Sequence, residues 1–392
     1  MARATTERTF IWELPDWPHF TWDSHRLEGP LDSARRSQGE LLGVVKAIGA
    51  LAANEAAVDA MAHEVVSNSA IEGVNLDLES VRASMMLRLG IETSLTQVTG
   101  QAARMDPIVG VLAEAAETWE APLTLERIFG WHRAIFPKGI PDGFEVLPAG
   151  SLRGEKPMVV ASRPKGARLE DPDIIHFEAP GREGLEREVD AFLSWFNAPP
   201  ARLNGLLRAG LAHLWFITVH PLADGNGRLA RTITDLALSQ DEKLPRRFYS
   251  LSVQILRTKD TYYDALEQAQ RGALDITDWL VWFLLQVEAA TRHGMQEVGR
   301  VLARGAFWAE ARRHSLDDRQ EKVLKAILSP TSPAPEVSNR RYRAITGVSR
   351  ATAVRDLAKM AEMGLLVPYG ETRSASYRVD LDRFLPELFR PK

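Results

Sequence analysis

Apolar residues recur three and four apart over long stretches of this chain and rarely alternate with polar ones. From Leu31 to about Arg88 the spacing of Leu41, Leu42, Val45, Ile48 and Leu51, in a background rich in Ala, Leu, Glu and Met, predicts amphipathic helices. The same period returns around Met105 to Glu117 and Leu123 to Ile135, then at Glu183 to Phe196, Leu203 to Val219, Arg228 to Ser239, Asp260 to Ala269 and Ile276 to Ala290. Leu203 to Val219 is apolar nearly all round, which marks a buried central helix. Between Pro137 and Pro180 the period is lost, and Pro157-Met-Val-Val-Ala161, flanked by Gly154 and Gly166, predicts a short hairpin. The expected fold class is all-α: a helix bundle interrupted by one small β-hairpin.

Both ends follow a different grammar. Trp12 to Trp22 holds three tryptophans, Phe20, Pro15 and Pro18, too proline-broken for a long helix and too aromatic for a free tail, so it should lie as a strap on the body. The run Ser329 to Pro335, with three prolines in seven residues, is a hinge. A helix from Leu316 to Leu328 leads into it. Beyond it, Ser338 and Ser349 read as N-caps of two short helices separated by Gly347-Val348, with Val354, Leu357 and Ala361 as the buried stripe of the second. Leu365 to Val367 and Ser376 to Val379 read as strands around Gly370-Glu-Thr-Arg373, completing a winged helix-turn-helix outline. Arg350, Thr352 and Arg355 would be exposed on its second helix and Arg373 would sit in the wing. Glu336 to Arg378 carries eight Lys/Arg against four Asp/Glu, a local excess suited to DNA, although such modules also dock proteins.

Composition narrows the chemistry. At 392 residues, 45% hydrophobic and 26% charged, the chain is long enough for two or three folded domains, and its net charge of −4 gives no global polyanion-binding signature. With no cysteine, thiolate nucleophiles, disulfides, zinc fingers and iron–sulfur clusters are excluded, and any metal must be held by oxygen or imidazole. No apolar run is long enough to span a bilayer and the opening residues lack a secretory signal, so a cytoplasmic protein with no membrane partner is expected.

The most informative stretch is His220-Pro-Leu-Ala-Asp-Gly-Asn-Gly-Arg-Leu-Ala-Arg231. Pro221 disfavours helical geometry at His220, so the central helix should stop there and leave the imidazole at its end, facing a loop, where it can act as a base near neutral pH. Asp224-Gly-Asn-Gly227 is turn chemistry whose backbone N–H groups can converge on an anion, and the helix beginning near Arg228 points its positive end at the same place. Arg228 and Arg231 share a face of its first turn, an arrangement suited to a polyphosphate, and Asp224 is placed to hold Mg²⁺ between phosphate oxygens. Taken singly, His-Pro is most often a helix stop and DGNG a surface turn; their junction within twelve residues favours a site. Gly225-x-Gly227-x-x-Ala230 also fits a minimal dinucleotide fingerprint, but a helix rather than a strand precedes it. A calcium loop from Asp224 fails at Arg228 and Leu229.

This stretch resembles the signature of the Fic family, His-Pro-Phe-x-Asp/Glu-Gly-Asn-Gly-Arg-x-x-Arg, with Leu222 in place of Phe as a buried wedge. The resemblance runs roughly from Leu123 to Ala290. It implies a protein adenylyltransferase that moves AMP from ATP, the co-substrate, to a Ser, Thr or Tyr hydroxyl of a target protein. In that reading His220 deprotonates the hydroxyl, Asp224 holds Mg²⁺, and Gly225, Asn226 and Gly227 cradle the phosphates that Arg228 and Arg231 bind. The hairpin around Pro157 to Arg163 becomes a flap for the target segment, and one of Tyr262 and Tyr263 places a ring near the adenine. Glu64 to Gly73, EVVSNSAIEG, resembles the family's inhibitory helix, whose glutamate, here Glu72, pairs with Arg231 and takes the space of the γ-phosphate. The departure is Asn68 where the family has Ser or Thr; without the resemblance Glu72-Gly73 would be a plain helix end.

The expected organisation is thus 1–115 for the strap and a helical region with an inhibitory helix at about 54–73, 116–295 for the Fic core, and 296–392 for a linker helix and the winged helix-turn-helix module. Family habit suggests a homodimer. The competing readings are removal of AMP, transfer of another phosphate-containing group, and a DNA-binding regulator whose Fic core senses a nucleotide.

Overall fold

The computed structural model describes residues 9–90, 107–163, 173–329, 332, 335–369 and 376–390. The expected wing turn, with Arg373, lies outside them. The described residues form fourteen α-helices and three small antiparallel sheets, a mainly α fold. In the N-terminal part are α1 (Ser24–Ala47), α2 (Ala50–Ile71), α3 (Leu78–Arg88), α4 (Pro107–Glu117) and α5 (Leu125–Ile135). Two hairpins follow: β1 (Ile140–Asp142) with β2 (Glu145–Leu147), unforeseen in the sequence because each strand is three residues long, and β3 (Val159–Ser162) with β4 (Ile174–Glu178).

The bundle continues through α6 (Leu185–Asn197), α7 (Gly205–Val219), α8 (Asn226–Glu242), α9 (Leu251–Arg257), α10 (Lys259–Gln270) and α11 (Thr277–Ala311). As the all-round apolar pattern predicts, α7 is the axle: every residue from Leu206 to Val219 is buried. Asn204 starts it, accepting the Leu206 N–H at 2.9 Å. The strap packs on the same helix, with Trp17 and Phe20 edge-on to Trp215 at ring separations of 6.3 and 5.9 Å. It is pinned by Thr21, whose backbone bonds Leu274 and Ile276.

The boundary expected between 295 and 296 falls inside α11, a continuous helix of 35 residues. Its apolar positions keep their period past the boundary, through Val298 and Val301, and Phe307 then joins a second core. That core is built by α12 (Asp318–Ile327), β5 (Glu336–Ser338), α13 (Asn339–Thr346), α14 (Arg350–Glu362), β6 (Val367–Tyr369) and β7 (Ser376–Arg378), with β7 central in the sheet. Ser338 and Ser349 cap α13 and α14. The stripe of α14 is rotated from expectation: Val354 is 46% exposed, while Ala353, Leu357 and Met360 are buried. Asp356 turns inward because its carboxylate accepts from the Tyr342 hydroxyl at 2.9 Å, which brings the neighbouring positions with it. Arg350 and Arg355 are exposed.

Gly294 lies where α11 crosses the Phe248-Tyr249 segment, and a Cβ there would overlap the Phe248 carbonyl oxygen and approach Tyr249 Cβ to 2.8 Å. Gly→Ala inside a helix ordinarily stabilises by about 1 kcal/mol. Here overpacking of about 1–3 kcal/mol opposes that gain, so Gly294→Ala should lower the urea midpoint; an unchanged or raised midpoint would contradict the close crossing.

Candidate active site

Helix α7 delivers His220. The residue is its C-cap in the left-handed region, φ 51° and ψ 56°, because Pro221 denies it helical geometry. A non-glycine residue held there is mildly strained, so the surroundings must over-determine it. They do: its N–H bonds the Phe216 carbonyl at 3.0 Å, and Arg153 grips the chain on both sides of the turn. Arg153 Nε donates to the His220 carbonyl at 2.8 Å, its backbone N–H donates to the Pro221 carbonyl at 2.9 Å, and its guanidinium also takes the Pro180 carbonyl. Arg153 is 3% exposed. Nothing in its Gly/Ser-rich sequence neighbourhood distinguishes it from a solvent-facing arginine.

His220 Nδ1 lies 3.0 Å from the Ile217 carbonyl. A carbonyl only accepts, so Nδ1 carries the proton and Nε2 is left with a free lone pair. Enclosure by protein pushes the imidazole down to about 4, with the Arg153 charge adding to the effect and the Ile217 bond, Glu72 and Asp224 opposing it. His220 is therefore neutral at physiological pH, a base with its accepting nitrogen free.

The loop after His220 is closed by Asn226, whose side chain accepts from the Leu222 N–H at 3.0 Å and donates to the Leu222 carbonyl at 2.8 Å. Leu222 is fully buried. The amide of Asn226 is thus committed to the loop, and its free contribution toward a ligand is the backbone N–H. Helix α8 begins at Asn226 rather than near Arg228, so the N–H groups of Asn226, Gly227 and Arg228 form its unsatisfied first turn. Gly225 sits at φ 77°, and a Cβ there would lie 2.9 Å from the Phe136 ring. That ring also carries the Arg228 guanidinium at 4.7 Å and meets His132, which accepts the Gly150 N–H at 3.0 Å. Phe136 and His132 form a back wall that sequence reasoning missed, since an aromatic and a histidine on an apolar helix look like ordinary core.

Asp224 is exposed, and its Oδ1 accepts the Gly225 N–H at 2.6 Å. Among the described residues no three or more His, Asp or Glu side chains cluster in a way that could hold a metal ion. A cation at Asp224 would therefore take most of its ligands from a bound phosphate chain and water.

Arg231 is 2% exposed and faces helix α2. Its Nε donates to Asn68 Oδ1 at 2.6 Å and its Nη2 to the Asn68 carbonyl at 3.2 Å and Glu72 Oε1 at 2.7 Å. Asn68 Nδ2 also reaches the Arg228 carbonyl at 3.3 Å, so the residue that departs from the family pattern ties α2 to α8 through three hydrogen bonds. Burial alone would raise the Glu72 carboxyl, but Arg231, with Arg228 and Lys259 farther off, holds it below its ordinary value. Lys259 caps the same helix end, donating to the Ile71 carbonyl at 2.6 Å. A Cβ at Gly227 would overlap Glu72 Oε1, so the carboxylate lies on the bare backbone of the first turn. Arg231 Nη1 and Arg228 Nε are buried without a partner beside it. The site is built for more negative charge than one carboxylate supplies.

The two tyrosines separate. Tyr262, expected as a candidate for the adenine, is sealed in the core: it is 1% exposed and its hydroxyl bonds His213 Nε2 at 2.9 Å. Tyr263 is 40% exposed, on the Lys259 side of the Glu72 helix end. Consecutive helical residues point about 100° apart, which is why both cannot serve.

Residues 122–238 match the Fic/DOC family. The chain carries a Fic/DOC domain. Residues 10–91, preceding it, match a domain of unknown function, DUF4172. Protein adenylyltransferase Fic of Nematostella vectensis is 24% identical over 227 residues, 57% of this chain and 47% of that protein; the Aedes aegypti protein of the same name is 23% identical over 223 residues, 57% of this chain and 40% of its own length. The chain thus spans less than half the length of these curated relatives. A Fic family protein from Desulfovibrio desulfuricans G20 superposes with a TM-score of 0.47 at 19% identity, over 89% of this chain and 95% of that one. The Fic/DOC match ends at 238, within α8, and so takes in His220, the loop and both arginines, while Glu72 lies outside it.

In an NMR titration the His220 ring should change protonation near pH 4, with Nδ1 protonated and Nε2 bare above it. Since its folded value lies below the ordinary 6.5, this group favours folding increasingly as pH rises from about 4 to 6.5. A midpoint at 6 to 7, or the opposite tautomer, would contradict the enclosed geometry.

Proposed function

We propose that the chain is an ATP-dependent protein adenylyltransferase, acting on a Ser, Thr or Tyr hydroxyl of a target protein and restrained by Glu72. The observation that carries this reading is the first turn of α8: unsatisfied N–H groups and two guanidinium groups with unpartnered nitrogens converge where one carboxylate now sits. The names of the two curated relatives support the same activity.

In this mechanism the polyphosphate of ATP lies over Gly225, Asn226 and Gly227, with backbone N–H groups and the α8 terminus facing it. Arg228 and Arg231 bind the outer phosphates. Asp224 would hold Mg²⁺, which neutralises charge on the departing pyrophosphate. The bare Nε2 of His220 takes the proton of the target hydroxyl as its oxygen attacks the α-phosphorus and the bond to pyrophosphate breaks. Arg153 keeps the imidazole aimed by holding the backbone of the turn. The open edge of the exposed strand β3 suits an extended target segment. Tyr263, with its ring accessible, is the candidate for contact with the adenine.

Glu72 restrains the reaction because it and the γ-phosphate compete for the same guanidinium. Asn68 strengthens the restraint by orienting Arg231 toward α2.

With Mg²⁺ and ATP labelled at the α- or γ-phosphate, Glu72→Gly should raise labelling of added lysate proteins from α-labelled ATP alone, at least tenfold over the native chain, and adding His220→Ala should abolish it. Labelling from γ-labelled ATP would mean phosphorylation instead, and no labelling in Glu72→Gly would sink the proposal.

A further inference from the structure

The β3–β4 hairpin carries a second constellation, made of side chains separate from those around the first turn of α8. Ser162 Oγ lies 2.7 Å from His176 Nε2, and His176 Nδ1 lies 2.8 Å from Glu267 Oε2 on α10. A carboxylate only accepts, so Nδ1 carries the proton, Nε2 is the acceptor, and the Ser162 hydroxyl donates to it. This is the order of a nucleophile, its base and the group that orients the base, which is recognised by geometry and not by sequence position.

The arrangement is locked from behind. Val160 pairs with Phe177 and Ala161 with Ile175, so His176 is the extra residue of a β-bulge. Bulges leave carbonyls unpaired and re-aim side chains beside active sites. Here Arg271 collects what the bulge releases: its Nε donates to the His176 carbonyl at 2.8 Å and its Nη2 to the Ile175 carbonyl, while the same Nη2 lies 3.2 Å from Glu267 Oε1. One guanidinium, 19% exposed, thus fixes both the strand that bears the base and the carboxylate that orients it. A chance surface contact between a serine and a histidine would not need this support. Ser162 is solvent-exposed, and its cross-strand partner Ile174, 46% exposed, offers an apolar surface beside the hydroxyl.

We propose that Ser162, His176 and Glu267 form a nucleophilic serine centre that accepts the acyl group of small apolar esters. Ser162 Oγ attacks the ester carbonyl, the C–O bond to the leaving alcohol breaks, and the serine proton passes through His176 Nε2 to the departing oxygen. Water then repeats the sequence on the acyl-serine, giving the free acid and restoring the hydroxyl. Ser162 and His176 are the catalytic residues; Glu267 and Arg271 position them.

The test is labelling of the full chain with a fluorophosphonate, which loses fluoride to an activated serine, alongside release of nitrophenol from p-nitrophenyl acetate. The expected result is one label per chain on the peptide containing Ser162, none in Ser162→Ala, and a rate on the order of a hundredfold lower in His176→Gln, the scale of a lost general base. Glu267→Gln should slow labelling while Glu267→Asp, which keeps the carboxylate, recovers it, with melting temperatures unchanged. An unlabelled Ser162 in the native chain, labelling that survives Ser162→Ala, or a His176→Gln rate equal to the native one would each overturn the proposal. These readouts need no ATP, so they stand or fall independently of adenylyl transfer.

Discussion

The buried guanidinium of Arg231 is the constraint on which the rest of the site depends. A cation 2% exposed must be met by acceptors, and helix α2 meets it three times, through the side chain and carbonyl of Asn68 and the carboxylate of Glu72. That requirement fixes where α2 docks and brings its C-terminal end over the first turn of α8. The N–H groups there and the free nitrogens of Arg228 and Arg231 remain without full compensation. The restraint and the nucleotide binding proposed above would be two answers to that single electrostatic demand.

The opposite wall is fixed by hydrogen bonds to the backbone. Arg153 and Asn226 are both nearly fully buried and both bond main-chain groups of the His220 to Leu222 turn. The His220 imidazole is thereby presented on a turn that cannot relax to helix, at the end of a helix buried from Leu206 to Val219. Rigidity comes from α7, aim from Arg153, and the unsatisfied N–H groups and guanidinium nitrogens from α8.

Much of this was legible in the chain. The period of three and four located the helices, Pro221 located the end of α7, and the serines at 338 and 349 located two caps, because each of these signals is local. The motif from His220 to Arg231 brought base, loop and arginines together within twelve residues. What sequence could not show depends on contacts between distant segments. Arg153 reaches His220 from 67 positions away, Asn68 reaches Arg231 from 163, and Ser162, His176 and Glu267 meet only once the hairpin and α10 are assembled. Across residues 295 and 296 α11 runs on unbroken, in keeping with apolar positions that hold their period there. Val354 was misplaced by one helical position, an error of rotation that a single sequence cannot resolve.

The competition we propose is between Glu72 and the outer phosphates of a nucleotide for Arg231. It is tested most directly by calorimetric titration of the native chain and Glu72→Gly with a Mg²⁺-bound, non-hydrolysable ATP analogue, and with AMP as the control. Loss of one charge-assisted bond of about 1.5–3 kcal/mol corresponds to roughly tenfold to a hundredfold, so Glu72→Gly should bind the triphosphate at least tenfold more tightly while AMP affinity stays the same. Equal affinity of both proteins for the triphosphate, or an equal gain for AMP, would contradict the account.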